Sequence, residues 1–162
     1  EKQLKKINIK TKIKSYKIKL NQSNYKKIFD KYDYIVDGSD NFDTKFLIND
    51  ISKKTKKFLV TGAISKFDGH IFVFDFRIKK TPCIRCFFQE EKITDNVLNC
   101  EYDGILGTVA GVIGTIQANE ILKKILTIGK NLSGYVMIID LLNLNFRKVK
   151  LNKIKNAQDI KI

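Results

Sequence analysis

Apolar residues recur along this chain in two periods, and the places where the period changes mark its elements. Lys2 to Ile7 reads as the end of an amphipathic helix already under way, and a longer protein is expected to extend upstream of Glu1. Lys10 to Leu20 alternates loosely, with Ile13, Tyr16, Ile18 and Leu20 apolar, which predicts a strand. Asn21-Gln22-Ser23 supplies cap chemistry for a short helix through Phe29. Tyr32 to Val36 is a short apolar run of the kind found in buried parallel strands. It ends in Asp37-Gly38-Ser39-Asp40-Asn41, a turn composition. Helical spacing then returns over Phe42 to Lys54, with Phe42, Phe46 and Asn49 on one stripe beside Leu47 and Ile51.

Phe58 to Thr61, closed by Gly62, and His70 to Phe76, with Asp68-Gly69 as the turn before it, read as the next two strands. Lys79 to Gly104 shows little period; it carries Pro82, all three cysteines, and Glu90, Glu91 and Asp95, the marks of a long functional loop. Gly107 to Leu126 is a long helix expected to turn Val109, Val112, Ile113, Ile116, Ile121, Leu122 and Ile125 inward. Its Gly107, Gly111 and Gly114 would admit a second backbone at close range. Tyr135 to Leu141 and Asn145 to Leu151 form a last pair of strands joined near Leu142-Asn143. Strands alternating with helices, then a run of strands, predict one α/β domain over residues 1–162. Its sheet is parallel at the start and antiparallel later.

Composition changes this picture little. A hydrophobic fraction of 43% in 162 residues is enough for one compact core. The net charge of +14 admits a surface for nucleic acid or an acidic partner. However, lysine is spread from Lys2 to Lys155 without aromatic interleaving or a zinc-finger pattern, which favours compositional drift and no nucleic-acid role. No apolar run approaches the roughly 18 residues that span a bilayer, so no membrane role and a cytoplasmic location are expected. Three cysteines do not suggest a disulfide framework.

Three groups carry candidate chemistry. A turn between a strand and a helix in an open α/β sheet is where ligands sit, and helix N-termini favour phosphates. A carboxylate there, such as Asp40, can hold Mg²⁺ while the ion bridges phosphates. Equally, Ser39, Asp40 or Asn41 can simply cap the helix. Cys83 and Cys86 form a CxxC pair, which can be half of a tetrahedral zinc site; a redox CxxC would sit at a helix N-terminus, whereas this one follows Thr81-Pro82 in a loop. Cys100 is either a loop nucleophile or an ordinary free thiol. Glu101 beside it would work against a thiolate, whereas the nearby start of the long helix would work for one. His70, the only histidine, reads as structural.

Taken together, Tyr34 to Asp50 with Ser39-Asp40-Asn41 at its centre, Val60-Thr61-Gly62-Ala63, Asp68-Gly69 to Phe74, Pro82-Cys83 to Cys86, and Gly107 to Lys123 resemble one family. The terminal strands with Asp140 and Phe146-Arg147 fit as well. The family is the ThiF/MoeB/HesA group of ubiquitin-activating-like adenylyltransferases, and the resemblance is to its C-terminal half. It implies a Rossmann-like, three-layer fold with a mixed parallel and antiparallel sheet. It also implies a nucleotidyltransferase that uses ATP and Mg²⁺ to adenylate the C-terminal glycine of a ubiquitin-like sulfur-carrier protein. That reaction serves thiamine, molybdopterin or tRNA-thiolation pathways, and the enzyme is expected to be a homodimer. Asp40 matches the family's Mg²⁺-associated aspartate and Asn41 its neighbour at the nucleotide. Cys100 falls near a persulfide- or thioester-forming cysteine.

Two departures temper this. The family's glycine-rich nucleotide loop and its phosphate-binding basic residues would lie upstream of Glu1, so the chain alone is expected to be inactive. The family's second CxxC would fall near Ala157 to Ile160, where no cysteine stands, so tightly bound zinc is not expected. The alternative is a non-catalytic partner of the same fold that binds a carrier protein or another subunit.

Overall fold

The computed structural model describes residues 1–88 and 104–154. In chain order the elements are α1 (Lys2–Ile7), α2 (Tyr25–Phe29), β1 (Tyr34–Asp37), α3 (Phe42–Lys54), β2 (Phe58–Ser65) and β3 (Asp68–Asp75). A 3-10 turn (Ile84–Cys86), α4 (Gly107–Leu126), β4 (Tyr135–Asp140) and β5 (Asn145–Lys150) follow. The five strands form one sheet in sequence order. β1 and β2 run parallel, pairing Tyr34 with Phe58 and Asp37 with Thr61; every later pairing is antiparallel.

Side chains on a strand alternate between faces, so two interleaved apolar sets give two cores. On one face Leu59, Phe72 and Phe74 pack with Phe46 and Ile51 of α3 and Ile84 of the 3-10 turn. On the other, Phe58, Val60, Ile71 and Val73 pack with Val109 and Ile113 of α4. The result is a three-layer α/β sandwich, with β2 and β3 buried on both faces. α4 lies close because β3 carries Gly69 beneath it: a Cβ there would land on the Ile113 side chain.

The two longer helices run over the residues their patterns predict. α3 starts where the Asn41 side chain accepts the Thr44 N–H at 2.9 Å, satisfying one orphan donor of the first turn. The short α2 follows Asn21, whose side chain accepts the Ser23 and Asn24 N–H groups. In the terminal hairpin, Asp140 accepts the backbone N–H groups of Leu142 and Asn143 and the Asn143 amide.

Four expectations are corrected. Lys10 to Leu20 is not a strand: alternation specifies a half-buried extended segment, and Leu20 packs against the Phe46 core, but no strand pairs with this stretch among the described residues. The β2–β3 turn is Lys66-Phe67, with Lys66 left-handed at φ 48°; Asp68 and Gly69 already pair with Ser65 and Ile64. On α4, Leu122 and Ile125 are about half exposed. The buried stripe runs through Val109, Ile113, Gln117 and Glu120, and at 3.6 residues per turn it points away from both leucine and isoleucine. Finally, no atom within 4 Å faces the missing side chains of Gly107, Gly111 and Gly114, so their closeness serves no packing among the described residues.

Candidate functional site

A cleft of about 230 Å³ opens at the carboxyl ends of β1 and β2, beside the start of α3. Gly38 to Phe42 form one side, and Ile64, Ile113 and Gly114 supply much of an apolar opposite wall. This is the end of an open α/β sheet at which ligands bind.

Behind the cleft lining lies a polar knot around Asp37, which is 2% exposed. One carboxylate oxygen accepts the Ser39 N–H at 2.8 Å and the Ser39 hydroxyl at 2.6 Å. The other accepts the Lys45 ammonium at 3.2 Å and the Thr61 hydroxyl. Lys45, itself 5% exposed, also donates to the Gly62 carbonyl. From the opposite layer Gln117 of α4 donates its amide to the Asp37 carbonyl at 2.9 Å. Both Asp37 oxygens are thus used twice within the protein, and the buried charge is neutralised by one buried cation.

Asp40 is the contrast. It is exposed on the cleft side, and the Asn41 amide donates to its carboxylate at 3.0 Å. That bond, with the backbone N–H of Asp40 itself, holds its pKa below the usual carboxylate value. The group is therefore ionised at neutral pH and open to a cation. Asn41 does two things at once: its oxygen caps α3 and its nitrogen fixes Asp40. Of the two readings left open by the sequence, the helix cap is realised, by Asn41.

Cys83 and Cys86 lie elsewhere, against the later turns of α3. Asn49 accepts the Ile84 N–H at 3.1 Å, and Asp50 holds Arg85 through two bonds of 3.0 and 2.7 Å. At 1.5 Å per residue, Asn49 stands about 12 Å along the helix from Asn41. The sulfurs are 3.8 Å apart. Two ligands of a tetrahedral zinc ion with bonds of about 2.3 Å would have a separation of about 3.8 Å, so the pair fits two vertices. Among the described residues no group of three or more His, Cys, Asp and Glu can hold a metal ion. The Cys83 thiol and the Ile154 N–H lower the Cys86 pKa to about 5, whereas the bond to Cys86 and burial push Cys83 up. His70 has its pKa lowered by burial, in keeping with a structural role. Cys100, Glu90, Glu91, Asp95 and the stretch Ala157 to Ile160 lie outside the described residues.

Asp37, Lys45, Thr61 and Gln117 were not singled out as site residues by the sequence. A signal existed for two of them. Lys45 falls three residues after Phe42 and four before Asn49, on the inward stripe of α3, and Gln117 falls four after Ile113 on that of α4. A polar residue on a core stripe needs a buried partner.

The family model described as ThiF family matches residues 1–159. The chain belongs to the ThiF family. Among ThiF relatives, the sulfur carrier protein adenylyltransferase of Thermus thermophilus is 36% identical over 156 residues, covering 94% of this chain and 58% of that protein. The adenylyltransferase and sulfurtransferase MOCS3 of Xenopus laevis is 36% identical over 155 residues, covering 96% of this chain and 34% of that protein. The chain therefore spans little more than half of the first of these proteins and a third of the second. Among solved structures, E. coli MccB with ATP superposes with a TM-score of 0.76 at 14% identity, over 96% of this chain and 48% of MccB. At that identity the likeness shows the ThiF-type fold, a Rossmann-like α/β sheet. Among the described residues no helix is long and apolar enough to cross a membrane.

Proposed function

We propose that this chain is the C-terminal part of an adenylyltransferase that acts on the C-terminal glycine of a ubiquitin-like sulfur-carrier protein, with the Asp40 cleft as the magnesium-bearing end of its ATP site. The observation that carries the reading is the pairing of an exposed, ionised Asp40 with a buried, fully bonded Asp37 three residues earlier. One carboxylate builds the loop and leaves the other free for a cation. The names of the relatives, all adenylyltransferases where quoted above, support the same class.

The residues present fit Mg²⁺ and a nucleotide: Mg²⁺ takes one or two carboxylates plus phosphate oxygens and water, and a helix start lies beside Asp40. When bound, the ion offsets phosphate charge as the carrier's carboxylate displaces pyrophosphate. Asp40 holds the cation side, Asn41 keeps Asp40 in place, and the apolar wall at Ile64 and Ile113 limits water at the reacting end. Among the residues lining the cleft only Asp40 and Lys45 are charged, and Lys45 is committed to Asp37. The lining of the cleft therefore supplies no uncommitted cation for a triphosphate. This supports activity in the longer protein and little or none in residues 1–162 alone. A cytoplasmic homodimer, with the carrier docking at the cleft mouth, belongs to the same reading. Cys100 is assigned as the thiol that attacks the carrier's acyl-adenylate, forming a thioester as AMP leaves.

The test is Mg²⁺-dependent ATP–pyrophosphate exchange with a Gly-Gly-ended carrier, run on residues 1–162 and on the natural full-length chain. Exchange in the longer chain only, abolished by Asp40→Ala and kept by Cys100→Ser, supports the reading. Carrier binding without exchange in either chain would replace it with a non-catalytic partner role.

A further inference from the structure

The glycine-rich helix α4 and the first helix after the cleft, α3, lie on opposite faces of the sheet, yet both reach the same two residues. Lys45 of α3 bonds the Asp37 carboxylate and the Gly62 carbonyl. Gln117 of α4 bonds the Asp37 carbonyl, and its amide packs over Gly62, where a Cβ would stand 3.0 Å away. Asp37 and Gly62 are the carboxyl-terminal residue of β1 and the residue after its partner Thr61 on β2. Both helices thus grip the point from which the Gly38 to Asn41 loop departs.

We propose that Lys45 and Gln117 are positioning residues, a two-sided clamp that fixes the start of the loop so that Asp40 presents its carboxylate to a magnesium–phosphate ligand. Neither residue needs to touch the ligand: both are at least nine-tenths buried and spend their donors on Asp37 and Gly62. Beyond Asp37, the loop is tied by Ser39 to Asp37 and by Asn41 to α3, so its position follows that of Asp37. The length and polarity of Gln117 explain why a core stripe of α4 carries an amide at this level. A hydrocarbon would fill the same space over Gly62 but leave the Asp37 carbonyl without its donor. This inference rests on the proposed magnesium–nucleotide site, and its failure is separable from the failure of that site.

The experiment uses the natural full-length protein and two readouts. The first is binding of Mn²⁺ with a non-hydrolysable ATP analogue, followed by electron paramagnetic resonance. The second is the Mg²⁺ concentration giving half-maximal pyrophosphate exchange. Gln117→Met removes the donor while keeping the bulk, and the double change Asp37→Asn with Lys45→Met removes both buried charges together, so neither variant leaves a lone buried ion. Both are expected to weaken Mn²⁺ binding and raise the Mg²⁺ requirement about tenfold or more, with exchange recovering at high Mg²⁺. Lys45→Arg, which keeps the charge, is expected to stay near wild type. A change in stability alone would not move the Mg²⁺ requirement of the folded fraction. Wild-type Mg²⁺ dependence in both variants, with Asp40→Ala inactive, would overturn the clamp and leave the site standing. If wild type itself bound no metal–nucleotide, both would fall.

Discussion

The two ends of the sheet solve the same electrostatic problem in opposite ways. At the carboxyl end of β1, Asp37 is neutralised by the buried Lys45, and the partners that complete its shell are neutral groups. At the far end, Asp75 on β3 is held by Arg77 at 2.7 Å and Lys124 at 3.0 Å, and both cations reach solvent. Burial opposes the charge on Asp75, but Arg77 and Lys124 outweigh it and bring its pKa down to about 2. Arg77 also lies over the rings of Tyr34 and Phe58. Both are strong carboxylate–cation clusters, so a paired aspartate is no mark of function. What distinguishes the first end is the neighbour: Asp40, ionised and in no ion pair among the described residues, beside a hollow.

This contrast can be broken most severely at Asp40. Asp40→Asn should lower pyrophosphate exchange by about 100-fold or more, the scale of losing a preorganised charge at a reacting centre. The urea midpoint should barely move, because surface substitutions cost within about 0.5 kcal/mol. A large loss of stability instead would place Asp40 with Asp37 among the structural groups. Next comes Lys45→Met, which strands the Asp37 charge. It should cost about 3–5 kcal/mol in urea unfolding. Arg77→Ala, by comparison, removes a cation that is 42% exposed at its side chain and should cost about 1 kcal/mol or less. Equal costs for the two would erase the distinction between the ends.

Acid unfolding sharpens it further. The folded pKa of Asp75 lies below its ordinary value of 3.8, so its contribution is complete above about pH 5 and is lost as pH falls from about 4 through 2. Asp75→Asn should remove that part of the slope and leave stability near pH 2 almost unchanged; an unaltered slope would contradict the assignment. The smallest effect is expected at the cysteines. With two described ligands, a chelator should shift the melting temperature of the 162-residue chain by no more than about 2 °C, a change that corresponds to under about 1 kcal/mol. A drop of ten degrees or more would reveal a metal held by further ligands.

Much of this organisation was legible in the residues. The bounds of α3 follow from its Asn41 cap and helical stripe, those of α4 from its stripe alone, and the strand–turn–helix at Asp37 to Phe42 from a switch of period. What escaped had physical reasons. Alternation over Lys10 to Leu20 predicts a half-buried strand but says nothing about whether a neighbouring strand is there to pair with it, and Ile18 is in fact 56% exposed. The phase of α4 was misjudged after Ile116 because Gln117 and Glu120 occupy inward positions. Each is kept there by a bond: Gln117 to the Asp37 carbonyl and Glu120 to the Leu132 N–H. Counting apolar residues alone turns Leu122 and Ile125 inward. Asp37 was read as turn chemistry, since its partners Lys45, Thr61 and Gln117 lie 8, 24 and 80 residues away. The CxxC spacing announced a thiol pair, but the α3 residues that hold it, Asn49 and Asp50, show their role only in three dimensions.

On the proposed reading the cleft end of the sheet, and not the far end, receives a magnesium-bound nucleotide. Mg²⁺-dependent binding of ATP to the natural full-length protein, measured by calorimetry for wild type, Asp40→Asn and Asp75→Asn, tests it most directly. Asp40→Asn is expected to lose the Mg²⁺-dependent part of binding, and Asp75→Asn to keep it. Retention of that binding by Asp40→Asn, or its loss in a folded Asp75→Asn, would contradict it.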